Sequence, residues 1–181
     1  FSSGPCPKRP GWSAKEVEKI AYLGRSHRAK NPLQQIKTLI DLTSELLQIP
    51  EGYRVAIVPG SDTGAFELLM WSLLGKNKTT MFVWESFGND WADDAVNQLK
   101  LSECKVDRAE YGDLPKLDEV SRNSDICFTW NGTTSGVRVP NGNWIEKNED
   151  RLVLCDATSA VFSQELDWEK LDAVSFSCLL Y

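Results

Sequence analysis

Positive charge, histidine and long apolar runs are scarce in this sequence. It has 20 Lys and Arg against 26 Asp and Glu, a formal net charge of −6, and a single histidine. The excess negative charge repels a phosphate backbone and no large basic patch offsets it, so we expect no nucleic-acid partner. No apolar run approaches the roughly 20 residues that a membrane-spanning helix needs, so we expect no membrane partner either.

Closely spaced cysteines are also missing. The cysteines are odd in number, far apart and without a C-x-x-C motif, which argues against a disulfide framework and against a zinc or other metal site. Cys127 and Cys155 lie inside apolar segments and are predicted to be small buried hydrophobic residues. Free thiols imply a reducing compartment, so we expect a cytoplasmic protein. The five cysteines are Cys6, Cys104, Cys127, Cys155 and Cys178.

The two ends of the chain lack the features of a complete domain. The sequence begins at Phe1, without a methionine and without the charged and apolar regions of a secretory signal peptide. It ends in LDAVSFSCLLY, an apolar run typical of a strand, where a domain more often has a solvated tail. We therefore expect the sequence to be a piece of a longer protein.

Two helices are predicted in the first third of the chain. An S-x-x-E capping box that begins at Ser13 opens a short helix, which is expected to end near Gly24. A longer helix is predicted with Asn31 as N-cap and Pro32 as its first residue, and Pro50 ends it. Its apolar face should pack on a partner surface and comprises Leu33, Ile36, Leu39, Ile40, Leu46 and Leu47.

From Tyr53 onward, short apolar strands alternate with helices. The predicted strands are YRVAIVP, TTMFVWES, KVDRAEY, DICFTWN, RLVLCDA and DAVSFSC, and the predicted helices are TGAFELLMWSLLG and DWADDAVNQLK. This alternation predicts an α/β fold with three layers, α/β/α, around a mainly parallel sheet. In such sheets the ligand site lies beyond the carboxyl ends of the strands, so functional residues are expected in the loops that follow them.

The loop PGSDTGAF follows the first predicted strand and opens a helix. Gly60 and Gly64 bracket Ser61, Asp62 and Thr63, and small residues at a helix N-terminus favour an anion such as phosphate. The loop matches neither the Walker A motif nor G-x-G-x-x-G. An ordinary turn, capped by Ser61 or Asp62, explains the same residues.

Asp156 lies at the end of a predicted strand, and Trp91 lies at the start of a predicted helix that follows another strand. Asp156 is either a turn or cap residue or a carboxylate that holds a proton on a nitrogen heterocycle, as in pyridoxal-phosphate enzymes. Trp91 is either part of the core or a surface on which an aromatic ring stacks. The residues alone leave both alternatives open.

Two polar segments complete the set of candidates. In WNGTTSG, the hydroxyls of Thr133 and Thr134 are suited to bind a ligand oxygen, and a plain turn is the alternative. In SHRAK, Arg28 beside His27 presents a planar fork suited to a carboxylate or a phosphate. A basic cluster in so acidic a chain suggests an acidic small-molecule substrate, and a solvated basic loop is the alternative.

Six segments, in order along the chain, resemble phosphoserine aminotransferases, which are class V members of the fold-type-I pyridoxal-phosphate enzymes. They span nearly the whole chain up to Ser177 and read FSSGPC, SHRAKNP, VPGSDTGAFELLMWSLLG, VWESFGNDW, FTWNGTTSGVRVPNG and CDATSAVF. The resemblance implies that residues 1–181 are the N-terminal portion of the large domain of a pyridoxal-phosphate-dependent transferase, with the small C-terminal domain absent.

The resemblance implies a cofactor role for five residues. Backbone amides of Asp62 and Thr63 would hold the phosphate of pyridoxal 5′-phosphate. Trp91 would stack on the pyridine ring, Thr133 would bond to the phenolic oxygen, and Asp156 would pair with the pyridinium nitrogen. That pairing keeps the ring protonated, so that the ring can act as an electron sink.

The resemblance also implies a substrate and a reaction. Ser3, His27 and Arg28 match the substrate-binding positions of the family, which grip carboxylate and phosphate groups. The implied activity is that of a transaminase, which transfers an amino group between L-glutamate and 3-phosphohydroxypyruvate and gives phosphoserine in serine biosynthesis. The full-length protein is expected to be a cytoplasmic homodimer.

The match to the family stops after Ser177. In the family, the strand that matches Val174 to Ser177 continues as Trp-Gln-Lys, and this lysine forms the Schiff base with the cofactor. Here the chain reads Cys178-Leu179-Leu180-Tyr181, and neither Lys147 nor Lys170 is placed to replace the lysine. We therefore expect no catalytic residue of this kind within the 181 residues, which alone should be inactive.

Three hypotheses follow for the function. The first is that the chain is the N-terminal part of a longer phosphoserine aminotransferase. The second is a non-catalytic product of a truncated or frame-shifted gene, which acts only as a binding or interaction partner. The third is a phosphate-ligand binding module of similar α/β build, and six ordered motifs argue against it.

Overall fold

The computed structural model describes residues 10–177 of the chain. These residues divide into two units, the first formed by residues 10–57 and the second by Val58–Ser177. Each unit is considered by itself below. The second unit contains the sheet and most of the candidate functional residues.

The first unit contains the two predicted helices, α1 (Ala14–Ile20) and α2 (Lys30–Leu46). Ser13 precedes α1 as predicted, but its side chain makes no capping hydrogen bond. The prediction that Asn31 caps α2 is wrong, because Ala29 is the N-cap and its carbonyl accepts a hydrogen bond from Leu33 N at 3.0 Å. Asn31 therefore lies inside the first turn of the helix.

The apolar side chains of α2 are largely solvent-accessible in the described part of the chain. Leu33, Leu39 and Leu46 are 49%, 52% and 70% exposed, and the helix has no buried residue. The amphipathic pattern predicted the helix correctly, because the 3.6-residue period depends on the local sequence. The pattern does not specify which surface the apolar face contacts.

The predicted strand YRVAIVP is absent. Residues 53–59 adopt no regular secondary structure in the described chain, and Ile57 is 58% exposed. An apolar, β-branched run forms a strand only where a neighbouring strand supplies hydrogen bonds, and the described sheet contains no strand from this segment. The prediction of a buried strand here is wrong for that reason.

The second unit is built on a five-stranded, fully parallel sheet. Its strand order is β2-β1-β3-β4-β5, and each neighbouring pair is parallel. The predicted mainly parallel α/β sheet is thus confirmed. The strands are β1 (Lys78–Val83), β2 (Cys104–Arg108), β3 (Ser124–Thr129), β4 (Val153–Asp156) and β5 (Ala173–Ser175).

Two α-helices pack on one face of this sheet. They are α3 (Asp62–Leu73), which lies against β4 and β5, and α4 (Ser86–Asp93), which lies against β1 and β3. A π-helical turn, Asp94–Gln98, continues α4. The packed core contains sheet residues that alternate along each strand and helix residues that face them: Met81, Val83, Cys127 and Leu154 against Phe66, Met70, Trp91, Ala92 and Ala95.

The opposite face of the sheet is covered by an irregular segment rather than by a helix in Val58–Ser177. Trp144 lies across this face and makes edge-to-face contacts with Phe82 and Phe128, at centroid distances of 5.4 Å and 5.1 Å. A short 3-10 helix, Trp168–Lys170, precedes β5. Aromatic packing therefore buries the second face of the sheet without a regular element.

The predicted burial of two cysteines is confirmed. Cys127 and Cys155 are both fully buried, in β3 and β4. Burial raises the pKa of both thiols well above the ordinary range, so they remain protonated and unreactive at neutral pH.

Among residues 10–177, no cluster of three or more His, Cys, Asp and Glu residues could hold a metal ion. None of the helices described is long and apolar enough to span a membrane.

Candidate functional site

Two carboxylates meet at the carboxyl edge of the sheet. Asp156 is the last residue of β4, and Asp62 is the first residue of α3. Both are buried, with exposed fractions of 8% and 9%, and the Asp62 carboxyl group is near enough to Asp156 to raise its pKa. Parallel strands direct their carboxyl ends to one edge, which explains why these sequence-distant residues are neighbours.

Asp156 is held in place by two donors. Its Oδ1 accepts a hydrogen bond from the backbone N of Thr158 at 2.9 Å, and its Oδ2 accepts one from Trp91 Nε1 at 3.4 Å. The first of these bonds is the Asx-type contact expected of a turn residue. Asp156 therefore stabilises the turn, and the long bond to Trp91 leaves Oδ2 able to accept a second donor.

The acidic pair is electrostatically unfavourable in its ionised form. Burial raises the pKa of Asp156 from its usual 3.8 to about 7, and the neighbouring Asp62 carboxylate adds to the rise. The hydrogen bond from Thr158 N opposes the rise in pKa without cancelling it. Neither carboxylate forms an ion pair with a Lys or Arg among residues 10–177. A cation bound beside Asp156 would supply the missing charge.

The N-terminus of α3 is open to an anion. Ser61 is the N-cap residue, but its side chain makes no capping hydrogen bond, and Asp62 faces Asp156 instead of capping the helix. The amides of Asp62 and Thr63 have no carbonyl partner within the helix, because no earlier turn supplies acceptors for the first N–H groups. Gly60 has φ +114, a left-handed conformation that L side chains rarely adopt. The loop therefore presents free amides next to the acidic pair.

Trp91 belongs to both the core and the site. It is 3% exposed, and its ring lies 5.1 Å from that of Phe66 at an interplanar angle of 49°. The indole Nε1 points to Asp156, as the 3.4 Å hydrogen bond shows. Trp91 therefore belongs to the core, and its indole N–H also binds the carboxylate. Its stacking on an aromatic ring stays a prediction.

Thr133 lies in an exposed turn that follows β3. Thr129, the last residue of β3, pairs in register with Asp156, so this turn leaves the sheet at the same edge as the acidic pair. An isolated antiparallel bridge between Asn131 and Arg138 closes the base of the turn. The structure thus places Thr133 on the side of the sheet where the other candidates lie, and its cofactor role stays a prediction.

Two of the three predicted substrate-binding residues, His27 and Arg28, lie outside the unit that contains the sheet. Ser3 falls outside the described residues. His27 and Arg28 are exposed and belong to the unit of residues 10–57, where Arg28 N donates a hydrogen bond to Ser26 Oγ at 3.1 Å. Their substrate-binding role stays a prediction.

Sequence reasoning missed Glu85, a buried carboxylate between β1 and α4. Glu85 is 5% exposed and caps α4 by accepting a hydrogen bond from Gly88 N at 2.6 Å. A signal for it exists in the sequence, since an acidic residue just before a predicted helix is a frequent N-cap. The segment WES appears as the end of a strand, which conceals that role.

Comparison with known proteins confirms the resemblance seen in the motifs. Phosphoserine aminotransferase from Methanosarcina barkeri is 50% identical over 177 residues, which are 98% of this chain and 48% of the relative. Phosphoserine aminotransferase from Methanosarcina mazei is also 50% identical over the same shares of the two chains. The chain therefore spans about half the length of the curated relatives it matches. No family model matches the chain.

Solved structures confirm the fold class. A phosphoserine aminotransferase from Cytophaga hutchinsonii superposes with a TM-score of 0.77 and 30% identity, over 90% of this chain and 45% of that one. A phosphoserine aminotransferase from Trichomonas vaginalis, solved with bound pyridoxal phosphate, has a TM-score of 0.71 at 16% identity, which supports the fold alone. The chain thus shares the parallel α/β fold of these aminotransferases.

Proposed function

Since the chain resembles phosphoserine aminotransferases over 98% of its length, we propose that it forms part of such an enzyme and binds pyridoxal 5′-phosphate at the carboxyl edge of its sheet. The observation that carries this proposal is the buried pair of Asp156 and Asp62, which has no cationic partner in the described chain and lies beside an open helix N-terminus. A protonated pyridine nitrogen matches the acidic pair, and a phosphate group matches the open helix N-terminus.

Asp156 would hold a proton on the pyridine nitrogen. A pyridinium next to Oδ2 would compensate the negative charge of the Asp156 carboxylate, which burial and Asp62 make unfavourable. Its presence would therefore lower the pKa of Asp156 from about 7. When bound, pyridoxal phosphate supplies an electron sink for the electron pair released at the substrate α-carbon. The bond from Thr158 N keeps the carboxylate in its orientation while the proton is held.

Four further residues would hold the cofactor. The free amides of Asp62 and Thr63 point out of the first turn of α3, where the helix dipole favours a phosphate. Trp91 would present its ring to the pyridine, and Thr133 would donate its hydroxyl to the phenolic oxygen. These assignments come from the resemblance, and the common edge of the sheet supports them.

The substrates proposed for the whole enzyme are L-glutamate and 3-phosphohydroxypyruvate. Ser3, His27 and Arg28 would bind their carboxylate and phosphate groups, and the guanidinium of Arg28 can grip a carboxylate with two parallel hydrogen bonds. The whole enzyme would be a cytoplasmic homodimer of serine biosynthesis. Residues 1–181 would contribute the N-terminal portion of its large domain.

Cofactor binding can be tested on the 181-residue chain with pyridoxamine 5′-phosphate, which needs no lysine for attachment. We expect binding with quenching of tryptophan fluorescence, and Asp156→Ala should weaken binding at least about tenfold, because a hydrogen bond to a charged group is lost. Titration calorimetry and fluorescence measure both effects.

A matched control for this test is Asp125→Asn. Asp125 is also buried, but it lies at the amino end of β3, where its Oδ1 accepts hydrogen bonds from Asn77 and from Leu152 N. Its replacement should leave the affinity for pyridoxamine 5′-phosphate unchanged. Equal losses of affinity in the Asp125 and Asp156 variants, or no binding by the parent chain, would contradict the proposal.

The lysine of the family provides a second test. A polypeptide of these 181 residues should give no covalent cofactor adduct on borohydride reduction and no transamination, because Leu180 stands where the resemblance places the lysine. A Leu180→Lys variant should yield an adduct detectable by mass spectrometry. An adduct of equal yield on the parent chain would show that another lysine takes this role.

A further inference from the structure

Glu85 connects the start of α4 to the turn that follows β3. One of its carboxylate oxygens, Oε1, accepts the hydrogen bond from Gly88 N at 2.6 Å that caps the helix. The other, Oε2, accepts a hydrogen bond from Thr134 Oγ1 at 3.2 Å. Both oxygens of this buried carboxylate are therefore used, one on each of two separate elements.

Thr134 strengthens the connection from the side of the turn. Its hydroxyl donates to Glu85 and also accepts a hydrogen bond from Ser86 Oγ at 3.2 Å. The carbonyl of Thr134 accepts a hydrogen bond from the hydroxyl of Tyr111. The residue next to Thr133 is thus fixed by its side chain and by its backbone.

Gly132 permits this close approach. A Cβ at position 132 would lie 2.6 Å from Glu85 Cγ, 2.6 Å from Ser135 Oγ and 2.9 Å from Trp84 Nε1. Real Cβ atoms essentially never approach other atoms this closely, so any larger residue would push the turn away from Glu85. The indole of Trp84 also donates to Val137 O at 3.0 Å, at the far end of the same turn.

We propose that Glu85, Thr134 and Gly132, here called the Glu85 bridge, position the turn of Thr133 relative to the helix of Trp91 and thereby set the slot for the pyridine ring. This inference rests on the proposed function. Trp91 would contact the face of the ring and Thr133 its oxygen-bearing edge, so the separation of their two elements determines whether one ring meets both. The members of the Glu85 bridge are positioning residues, since none of them is placed against the cofactor.

The test compares Thr134→Val with Thr134→Ser in the 181-residue chain. Valine keeps the shape but can neither donate to Glu85 nor accept from Ser86, whereas serine can do both. Binding of pyridoxamine 5′-phosphate should weaken roughly tenfold in Thr134→Val and stay within about twofold in Thr134→Ser. The induced circular dichroism of the bound cofactor should fall in Thr134→Val and be restored in Thr134→Ser.

Two further variants separate positioning from general stability. Ser86→Ala removes only the hydroxyl that donates to Thr134, so it should fold even if Thr134→Val does not, and should weaken binding about two- to threefold. Asn77→Ala removes two hydrogen bonds, to Asp125 and to Asp150 O, at the opposite edge of the sheet. It should lower the denaturation midpoint without changing cofactor affinity.

The outcomes distinguish this inference from the proposed function. If the parent chain binds pyridoxamine 5′-phosphate and both Thr134→Val and Ser86→Ala bind it equally well, the Glu85 bridge has no positioning role and the proposed function stands. If affinity falls in Asn77→Ala in proportion to stability, the bridge acts only through folding and the inference is wrong. If the parent chain binds no cofactor, the proposed function fails, and the inference with it.

Discussion

Asp156→Asn is expected to remove the part of the pH dependence of folding stability that comes from the Asp156 carboxyl group. The burial of Asp156 raises its pKa from 3.8 to about 7, which is roughly three pKa units at about 1.4 kcal/mol each. The asparagine variant should therefore gain stability relative to the parent as the pH rises, by on the order of 4 kcal/mol between about pH 4 and about pH 8.

The sign follows from proton binding in the two states. Near pH 5 the unfolded chain has already released the Asp156 proton, whereas the folded protein retains it up to a pKa of about 7. Stability from this group is thus fully present below its unfolded pKa and is lost as the pH rises through the folded pKa. Asparagine has no proton to release, so the variant lacks this loss.

Denaturant unfolding of the parent and the variant across this pH range measures the effect, and the readout is the difference between their free energies of unfolding. Asp41→Asn is a suitable control, because the Asp41 side chain is 58% exposed on α2. It should differ from the parent by no more than about 0.5 kcal/mol at any pH. A difference between Asp156→Asn and the parent that does not change with pH would contradict the expectation.

Trp144→Ala is expected to lower the free energy of unfolding by about 3 kcal/mol at constant pH. Trp144 contacts both Phe82 and Phe128 edge to face, and it covers a sheet face that carries no helix in Val58–Ser177. Removing the indole leaves the two phenyl rings in contact with water or with a cavity. Thermal or denaturant unfolding of the variant measures the loss.

The matched control for this variant is Trp71→Ala. Trp71 lies on α3 and is 59% exposed, so its replacement should change stability by no more than about 0.5 kcal/mol. If both tryptophan variants lose the same stability, Trp144 does not bury the second face of the sheet in solution. A loss confined to Trp144→Ala supports the aromatic layer.

The strands of the second unit could be predicted because their signal is local. β1, β3 and β4 each contain a short apolar run, MFV, ICF and VLC, and each appears where the sequence predicts a strand. The segment 53–59 carries an equally strong apolar signal, yet it forms no strand in the described chain. Pairing depends on a neighbour far away in sequence, and local composition does not report whether that neighbour is present.

The candidate site could be predicted in part for the same reason. Asp156 follows directly from its place at the end of a strand, where ligand sites of parallel sheets occur. The orientation of the Asp62 carboxyl group toward Asp156 could not be predicted, because it depends on how α3 packs against β4. The hydrogen bond between Glu85 and Thr134 joins the segments that follow two neighbouring strands, β1 and β3, and no pattern of spacing reports it.

The parallel strand order has a consequence for assembly of the protein during synthesis. Asp62 and Trp91 are made well before Asp156, and at typical rates of translation on the order of ten seconds separate Asp62 from Asp156. β1, β2 and β3 can pair in that interval, and β4 adds at the free edge of β3 only after Asp156 has been made. The acidic pocket is therefore completed late, and the nascent chain carries α3 and α4 without their charged neighbour until then.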